Sequence, residues 1–315
     1  MKTATKTVTR ITRALLIGAG CCAMIFVVLS TLSAWMFTAP NPQAVGDAGA
    51  LPFAAGSVEF RTDDGLMIRG WYAPSTGDSG VVILLHGYRG NRTHMIERAS
   101  FLRNAGYGVL LYDARGCGAS EGSTVSMGYY ERHDLTAAIR CLRERGERKI
   151  ACIGASQGGA TIALAAEKLE GIRGAIFEST YDDLDHAIDR RFRHYALMPG
   201  WLGACLVSPI GERFLGCDID KIAPVQSIAK LSCPVYIISG TSDTRVWTED
   251  TQRLFSAASK PKQLWLIPGA DHVDLYGFAP HEYRARVLRF LQECMGQASS
   301  PDAPAPNPRQ AQAAL

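Results

Sequence analysis

K-I-A-C-I-G-A-S-Q-G-G, running from Lys149 to Gly159, is the stretch on which the reading of this sequence turns. Ile150 to Ile153 is a short apolar run with charge before it and glycine after it, the pattern of a buried strand. Gly154-Ala155-Ser156-Gln157-Gly158 comes next, and an alanine-rich helical pattern extends from Gly159 to Glu170. Strand, sharp turn, helix is the order. A serine at such a turn sits in strained backbone with its hydroxyl clear of the sheet, and small residues two places either side let strand and helix pass closely. Ser156 is therefore the candidate nucleophile. In a chain with 31 glycines a G-x-S-x-G match is weak by itself, so the rest of the chain has to corroborate it.

A serine hydroxyl needs a base to take its proton and a third group to orient that base. Asp243 follows an apolar run in Ser239-Gly240-Thr241-Ser242-Asp243, and His272 follows the last apolar run in Pro268-Gly269-Ala270-Asp271-His272. Both fall on loops leaving the carboxyl ends of predicted strands, where open α/β sheets bind ligands. Asp271, Asp274, Glu178 and Asp182 are rival acids. Asp271 is adjacent to His272 in sequence and badly placed to face the same imidazole nitrogen. Attack on a carbonyl creates an oxyanion, for which the backbone N–H of Gln157, at a helix start, and of Tyr88, in His86-Gly87-Tyr88-Arg89-Gly90-Asn91, are the candidate donors. His86, Asp113 and Arg115 read as scaffolding for loops at strand ends.

Around these residues the chain alternates strand and helix. A hairpin is predicted about Asp63-Asp64-Gly65, with strands at Val81 to Leu85, Tyr107 to Tyr112, Gly174 to Phe177, Pro234 to Ser239 and Gln263 to Ile267. Helices are predicted at Arg92 to Asn104, Tyr129 to Arg145, Thr248 to Ala258 and Pro280 to Met295. This rhythm means a parallel sheet covered on both faces. Tyr181 to Ser232 is too long for a simple connection and reads as a cap.

The N-terminal part differs. Ala14 to Phe37 is 24 residues without a charge, about 36 Å as a helix against a hydrocarbon core of about 30 Å. A cleaved signal peptide has an apolar region of only about 7 to 15 residues, so an uncleaved anchor is expected. Lys2, Lys6, Arg10 and Arg13 precede the span and no positive charge follows before Arg61, which sets the N-terminus in the cytoplasm and the body in the periplasm or outside the cell. Removing Met1 to Pro40 is expected to leave an active body. Five of the 33 basic and two of the 30 acidic residues lie outside 51–300, leaving 28 of each, a balance that argues against a nucleic-acid partner. Nine cysteines include two in the span; Cys141 and Cys152 fall on core faces, and Cys205 with Cys217 is the expected disulfide in an oxidising compartment. No spacing supports a zinc site, and no metal or cofactor is expected.

H-G-Y-R-G-N, Y-D-A-R-G-C-G-A-S, G-A-S-Q-G-G, G-T-S-D and P-G-A-D-H, in this order, resemble the α/β-hydrolase superfamily over nearly all of Val58 to Cys294. The chain looks most like membrane-anchored, serine aminopeptidase-like and monoacylglycerol-lipase-like hydrolases. That resemblance implies an α/β-hydrolase fold with a small cap, Ser156, Asp243 and His272 as triad, and Tyr88 and Gln157 at the oxyanion hole. A serine nucleophile separates the chain from dehalogenases and epoxide hydrolases of the same fold. The expected organisation is a cytoplasmic arm at 1–13, a transmembrane anchor at 14–37, a linker at 38–56, a hydrolase domain at 57–296 with a cap at 181–232, and a disordered tail at 297–315. The expected function is cleavage of a carboxylic ester, including an acyl lipid, through an acyl-enzyme. A peptidase or thioesterase of the same fold, or a catalytically silent interaction protein, are the alternatives. Tyr195 to Gly211 is free of charge and follows Arg190-Arg191-Phe192-Arg193-His194; it reads either as a surface resting on anionic headgroups or as packing that lines an apolar pocket.

Overall fold

Five apolar residues in a row, Val81–Leu85, cannot face water on either side, and they form the central strand of an eight-stranded sheet. The computed structural model describes residues 2–196, 210–272 and 274–296. Its main strands are β1 (Gly56–Arg61), β2 (Met67–Ala73), β3 (Val81–Leu85), β4 (Gly108–Tyr112), β5 (Ile150–Ala155), β6 (Gly174–Glu178), β7 (Val235–Gly240) and β8 (Lys262–Ile267). They lie in the order β8-β7-β6-β5-β3-β4-β2-β1. The hairpin β1–β2 is antiparallel and meets β4 antiparallel; every other pair is parallel. Alternate side chains divide between two cores: Val81, Ile83 and Leu85 join one, while Val82 and Leu84 join the other. Helices cover both faces, as a mostly parallel sheet requires. This is the α/β-hydrolase architecture.

The main helices among the described residues are α1 (Lys2–Thr38), α2 (Ile96–Asn104), α3 (Glu131–Glu144), α4 (Gln157–Leu164), α5 (Leu184–Ala196), α6 (Thr248–Ala257) and α7 (Pro280–Met295). α4 is shorter than the alanine-rich pattern suggests, because the chain tightens into a 3-10 turn at Ala166–Lys168. Arg92–Met95 is likewise a 3-10 turn leading into α2, with the Asn91 side chain accepting from the Thr93 N–H as its cap. α1 is long and apolar enough over Ile11–Thr38 to cross a membrane.

Segment 38–56, expected to be a spacer, is bound to the body. Asn41–Pro42 pairs in parallel with Cys117–Gly118, and the Gln43 N–H donates to the Gly118 carbonyl at 2.9 Å. Phe53 and Ala55 pack against the core. A Pro-, Ala- and Gly-rich composition shows that a stretch builds no core of its own, yet its backbone donors still bond to an adjacent loop.

The cap is described in part. α5 leads out over the carboxyl ends of the strands, and the chain returns through a helical turn at 210–215. Tyr181, Leu184, Leu215, Ile219 and Ile222 form a small core of their own, closed by Ala160 and Val246 from the body. Arg190 and Arg253 bridge Asp250 and Asp182, fixing α5 to α6. Tyr195 to Gly211 lies almost wholly outside the described residues. So do Cys205, and with it the Cys205–Cys217 pairing, and the tail from 297.

Close backbone packing at the end of β5 depends on glycine. A Cβ on Gly154 would stand 2.4 Å from the Gly158 carbonyl carbon, and one on Gly158 would stand 2.5 Å from the Leu85 carbonyl oxygen. Backbone cannot yield as a flexible side chain can. Gly154→Ala is expected to cost about 1–3 kcal/mol of stability, read as a lower denaturant midpoint with unchanged m-value; a wild-type midpoint contradicts this packing.

Candidate active site

The residue directly after β5 is held in strain: Ser156 has φ +50° and ψ −111°, a conformation that L-residues rarely adopt. It is held there from both sides. The Ser156 N–H donates to the Glu178 carbonyl on β6 at 2.7 Å, and the Ser156 carbonyl accepts the Ala160 N–H of α4 at 3.1 Å. Gln157 is the first residue of α4, so its N–H has no intrahelical acceptor and faces the turn at the positive end of the helix.

Asp243 and His272 leave β7 and β8 as read from the sequence, and they meet. His272 Nδ1 lies 2.9 Å from Asp243 Oδ2, and the Asp243 side chain is fully buried. The other carboxylate oxygen accepts the N–H groups of Arg245 at 2.9 Å and Val246 at 2.8 Å, which fixes its plane. Ser156 and His272 line the same cleft, with Tyr88, Gln157 and Arg245.

The rival acids are engaged elsewhere. Asp271 Oδ1 accepts the backbone N–H of His272 at 2.6 Å and of Thr244 at 3.1 Å, and these bonds hold its carboxyl below the usual value. Asp182 is bound to Arg253 at 2.6 Å. Glu178 takes both Nε, at 3.0 Å, and Nη2, at 2.5 Å, of the buried Arg98 and accepts the Tyr283 hydroxyl. Arg98 also reaches Asp274 at 2.7 Å, so one guanidinium ties the strand beneath Ser156 to the loop carrying His272. Burial opposes the Arg98 charge, but the Glu178 carboxylate outweighs it and the pKa rises. Sequence reading did not single out Arg98 or Tyr283. The signal was Glu178 itself, a charge closing the otherwise apolar run Gly174–Glu178.

Loops near the site are held by polar groups at strand ends. His86 Nε2 accepts the Ala114 N–H at 3.0 Å and its Nδ1 faces the Gly87 carbonyl at 2.8 Å; burial lowers its pKa and keeps the ring neutral. Asp113 accepts the N–H groups of Arg92 and Ala119, and Arg115 grips Asp134 and Asp64. Among the described residues, Asp182, His186 and Asp250 bring ligand atoms within 4.8 Å of one another. Arg253 and Arg190 already neutralise them, so this cluster works as an ion-pair network under the cap.

One side of the cleft is apolar. An apolar lobe lies between Met127, Tyr181, Leu184, Ile188 and Leu215 on one side and Ala34 and Phe37 of α1 on another. A second, polar lobe opens from the same serine between Thr93, His94, Glu97 and Arg245. Arg191, read from the sequence as one of a basic cluster within the cap, borders both lobes with its guanidinium 5.9 Å from the Tyr88 ring centre.

Comparison with known proteins agrees with this geometry. Residues 77–206 match the family described as serine aminopeptidase, S33. Uncharacterized protein Rv2307c of Mycobacterium tuberculosis is 30% identical over 81% of this chain and 85% of its own length. Uncharacterized protein YfhR of Escherichia coli is 28% identical over 77% of this chain and 82% of its own. The solved structure of the Pyrococcus furiosus esterase Pf2001 superposes with a TM-score of 0.70 at 29% identity, covering 82% of this chain and all of that one. The chain belongs to the serine aminopeptidase-like family of α/β hydrolases. It is a serine-type hydrolase.

The bond between Asp243 and His272 separates two carboxylates that are both near the ring. Asp243→Asn is expected to lower kcat on a short p-nitrophenyl ester by about 10⁴-fold, the loss that follows when the ring is held in the wrong tautomer. Asp271→Asn should leave kcat within about one order of magnitude. The reverse ranking of the two variants contradicts the assignment.

Proposed function

We propose that this protein is a membrane-anchored serine hydrolase that cleaves carboxylic esters with an apolar acyl group, through an acyl-enzyme on Ser156. The observation that carries this reading is a serine held at φ +50° in the cleft it shares with His272, whose Nδ1 is 2.9 Å from the buried Asp243. With Nδ1–H donated to Asp243, Nε2 is left as an acceptor for the serine proton.

The reaction needs only the ester and water. Ser156 Oγ bonds to the ester carbonyl carbon as its proton passes to His272 Nε2. The carbonyl π electrons move onto oxygen, which the N–H groups of Gln157 and Tyr88 stabilise. Collapse expels the alkoxide, which leaves as the alcohol with the proton from His272. Water then repeats the sequence on the acyl-enzyme and releases the carboxylic acid.

The lobe lined by Met127, Leu184, Ile188 and Leu215 favours an acyl chain over a charged residue, which ranks esters ahead of peptides. Pf2001, whose name makes it an esterase, is a neighbour consistent with that ranking. α1 supports anchorage, and Lys2, Lys6, Arg10 and Arg13 before its apolar part favour a cytoplasmic N-terminus with the hydrolase body on the other side.

Ser156→Ala should lower kcat on p-nitrophenyl esters by about 10⁴-fold or more with the thermal midpoint retained. Across a series from acetyl to palmitoyl, wild type should have a higher kcat/KM on esters than on any aminoacyl p-nitroanilide. Preference for the anilides would favour a peptidase, and full turnover by Ser156→Ala would remove the mechanism.

A further inference from the structure

α1 changes character along its length. From Ile11 to Leu29 every residue is exposed, as for a helix surrounded by lipid. Ser30, Ala34 and Thr38 are then 0%, 1% and 6% exposed, while Trp35 and Met36 remain 59% and 54% exposed. The buried three are spaced four apart, so they share one helix face, and all are small, which lets that face lie close against the body.

The end of the helix is also capped by the active-site loop. The last four carbonyls of a helix have no intrahelical donor. Here the Met36 carbonyl accepts Arg89 Nη1 at 2.8 Å, the Phe37 carbonyl accepts the Tyr88 hydroxyl at 2.8 Å, and the Thr38 carbonyl accepts the Val125 N–H at 2.8 Å. Asn41 Nδ2 donates back to the Arg89 carbonyl at 2.6 Å. Tyr88 and Arg89 belong to the loop whose N–H faces the oxyanion in the proposed mechanism, and Arg89 is itself held at φ +52°. Burial raises the Tyr88 pKa, so its phenol remains a donor through ordinary assay pH. Ala34, Phe37 and Thr38 line the apolar lobe beside Ser156 and His272.

We propose that the last two turns of the membrane-crossing helix are the acyl-selecting wall of the active site, and that the substrate is an acyl ester lipid carried by the bilayer. The proposal rests on the serine-hydrolase reading above and names its substrate class. Trp35 on the exposed side marks the membrane–water interface that aromatic side chains favour. Phe37 stands two residues further, about 3 Å along the axis. The apolar lobe thus opens at headgroup level, and an acyl chain slides from lipid along Ala34 and Phe37 to Ser156 without crossing water. Deleting Met1 to Pro40 would take away this wall, so the active body expected from the sequence should lack the acyl selectivity of the full-length protein.

The test uses the full-length protein in phosphatidylcholine vesicles, with p-nitrophenyl acetate and octanoate as probes. Ala34→Phe fills the lobe, Phe37→Ala widens it, and Ala23→Phe adds the same bulk on the exposed part of the span. Ala34→Phe should lower kcat/KM on octanoate by about 10- to 100-fold relative to acetate. Phe37→Ala should move the acetate-to-octanoate ratio the other way, and Ala23→Phe should keep the wild-type ratio. A wild-type ratio in both Ala34→Phe and Phe37→Ala overturns the proposal. Phe37→Ala adds no bulk, so it decides the matter even if Ala34→Phe loses its fold. Absence of acetate turnover in wild type strikes instead at the hydrolase reading on which the proposal stands.

Discussion

The bond from the Ser156 N–H to the Glu178 carbonyl, 2.7 Å long, holds the residue on which the site depends. A non-glycine residue at positive φ costs on the order of 1–3 kcal/mol, and it persists only where its surroundings leave no alternative. Here β6 fixes the nitrogen, α4 fixes the carbonyl, and glycines at 154 and 158 let the two elements approach until no Cβ would fit. The Glu178 side chain then carries the constraint outward. Its carboxylate takes Arg98 and Tyr283, and Arg98 reaches Asp274 two residues beyond His272. Buried charge of this kind is expensive unless fully paired, and it is paired three ways. One cluster therefore registers the serine turn and the histidine loop against each other.

Most of the scaffold was legible because its central strands are buried on both faces. Val81–Leu85 and Gly108–Tyr112 read as continuous apolar runs, and such runs with helical patterns between them admit few topologies. Ser156, Asp243 and His272 were legible for a related reason. Each sits at the end of such a run, where position in the sheet follows from order in the chain, and the Asp243–His272 contact follows from β7 and β8 being neighbours.

What escaped was long-range or two-sided. Arg98 and Glu178 are 80 residues apart, and nothing local in I-E-R-A-S marks the arginine as buried. Hydropathy reads α1 as one uniform span, because Ser30, Ala34 and Thr38 lie among apolar residues and only their spacing of four shows a packing face. The composition of 38–56 suggests a spacer, yet hydrogen bonds from Asn41 and Gln43 stitch it to the body. Backbone donors leave no trace in composition. The apolar helix and the cleft loop, far apart in the sequence, thus meet at Phe37 and Tyr88.

The central claim is that Ser156 carries the acyl group. The most direct measurement is rapid acid quench during turnover of p-nitrophenyl acetate, followed by proteolysis and mass mapping. An acetyl group on the peptide containing Ser156, formed at a rate at least equal to kcat, is the result the account predicts. Continued turnover with that peptide unmodified, or with the acetyl group on another side chain, would contradict it.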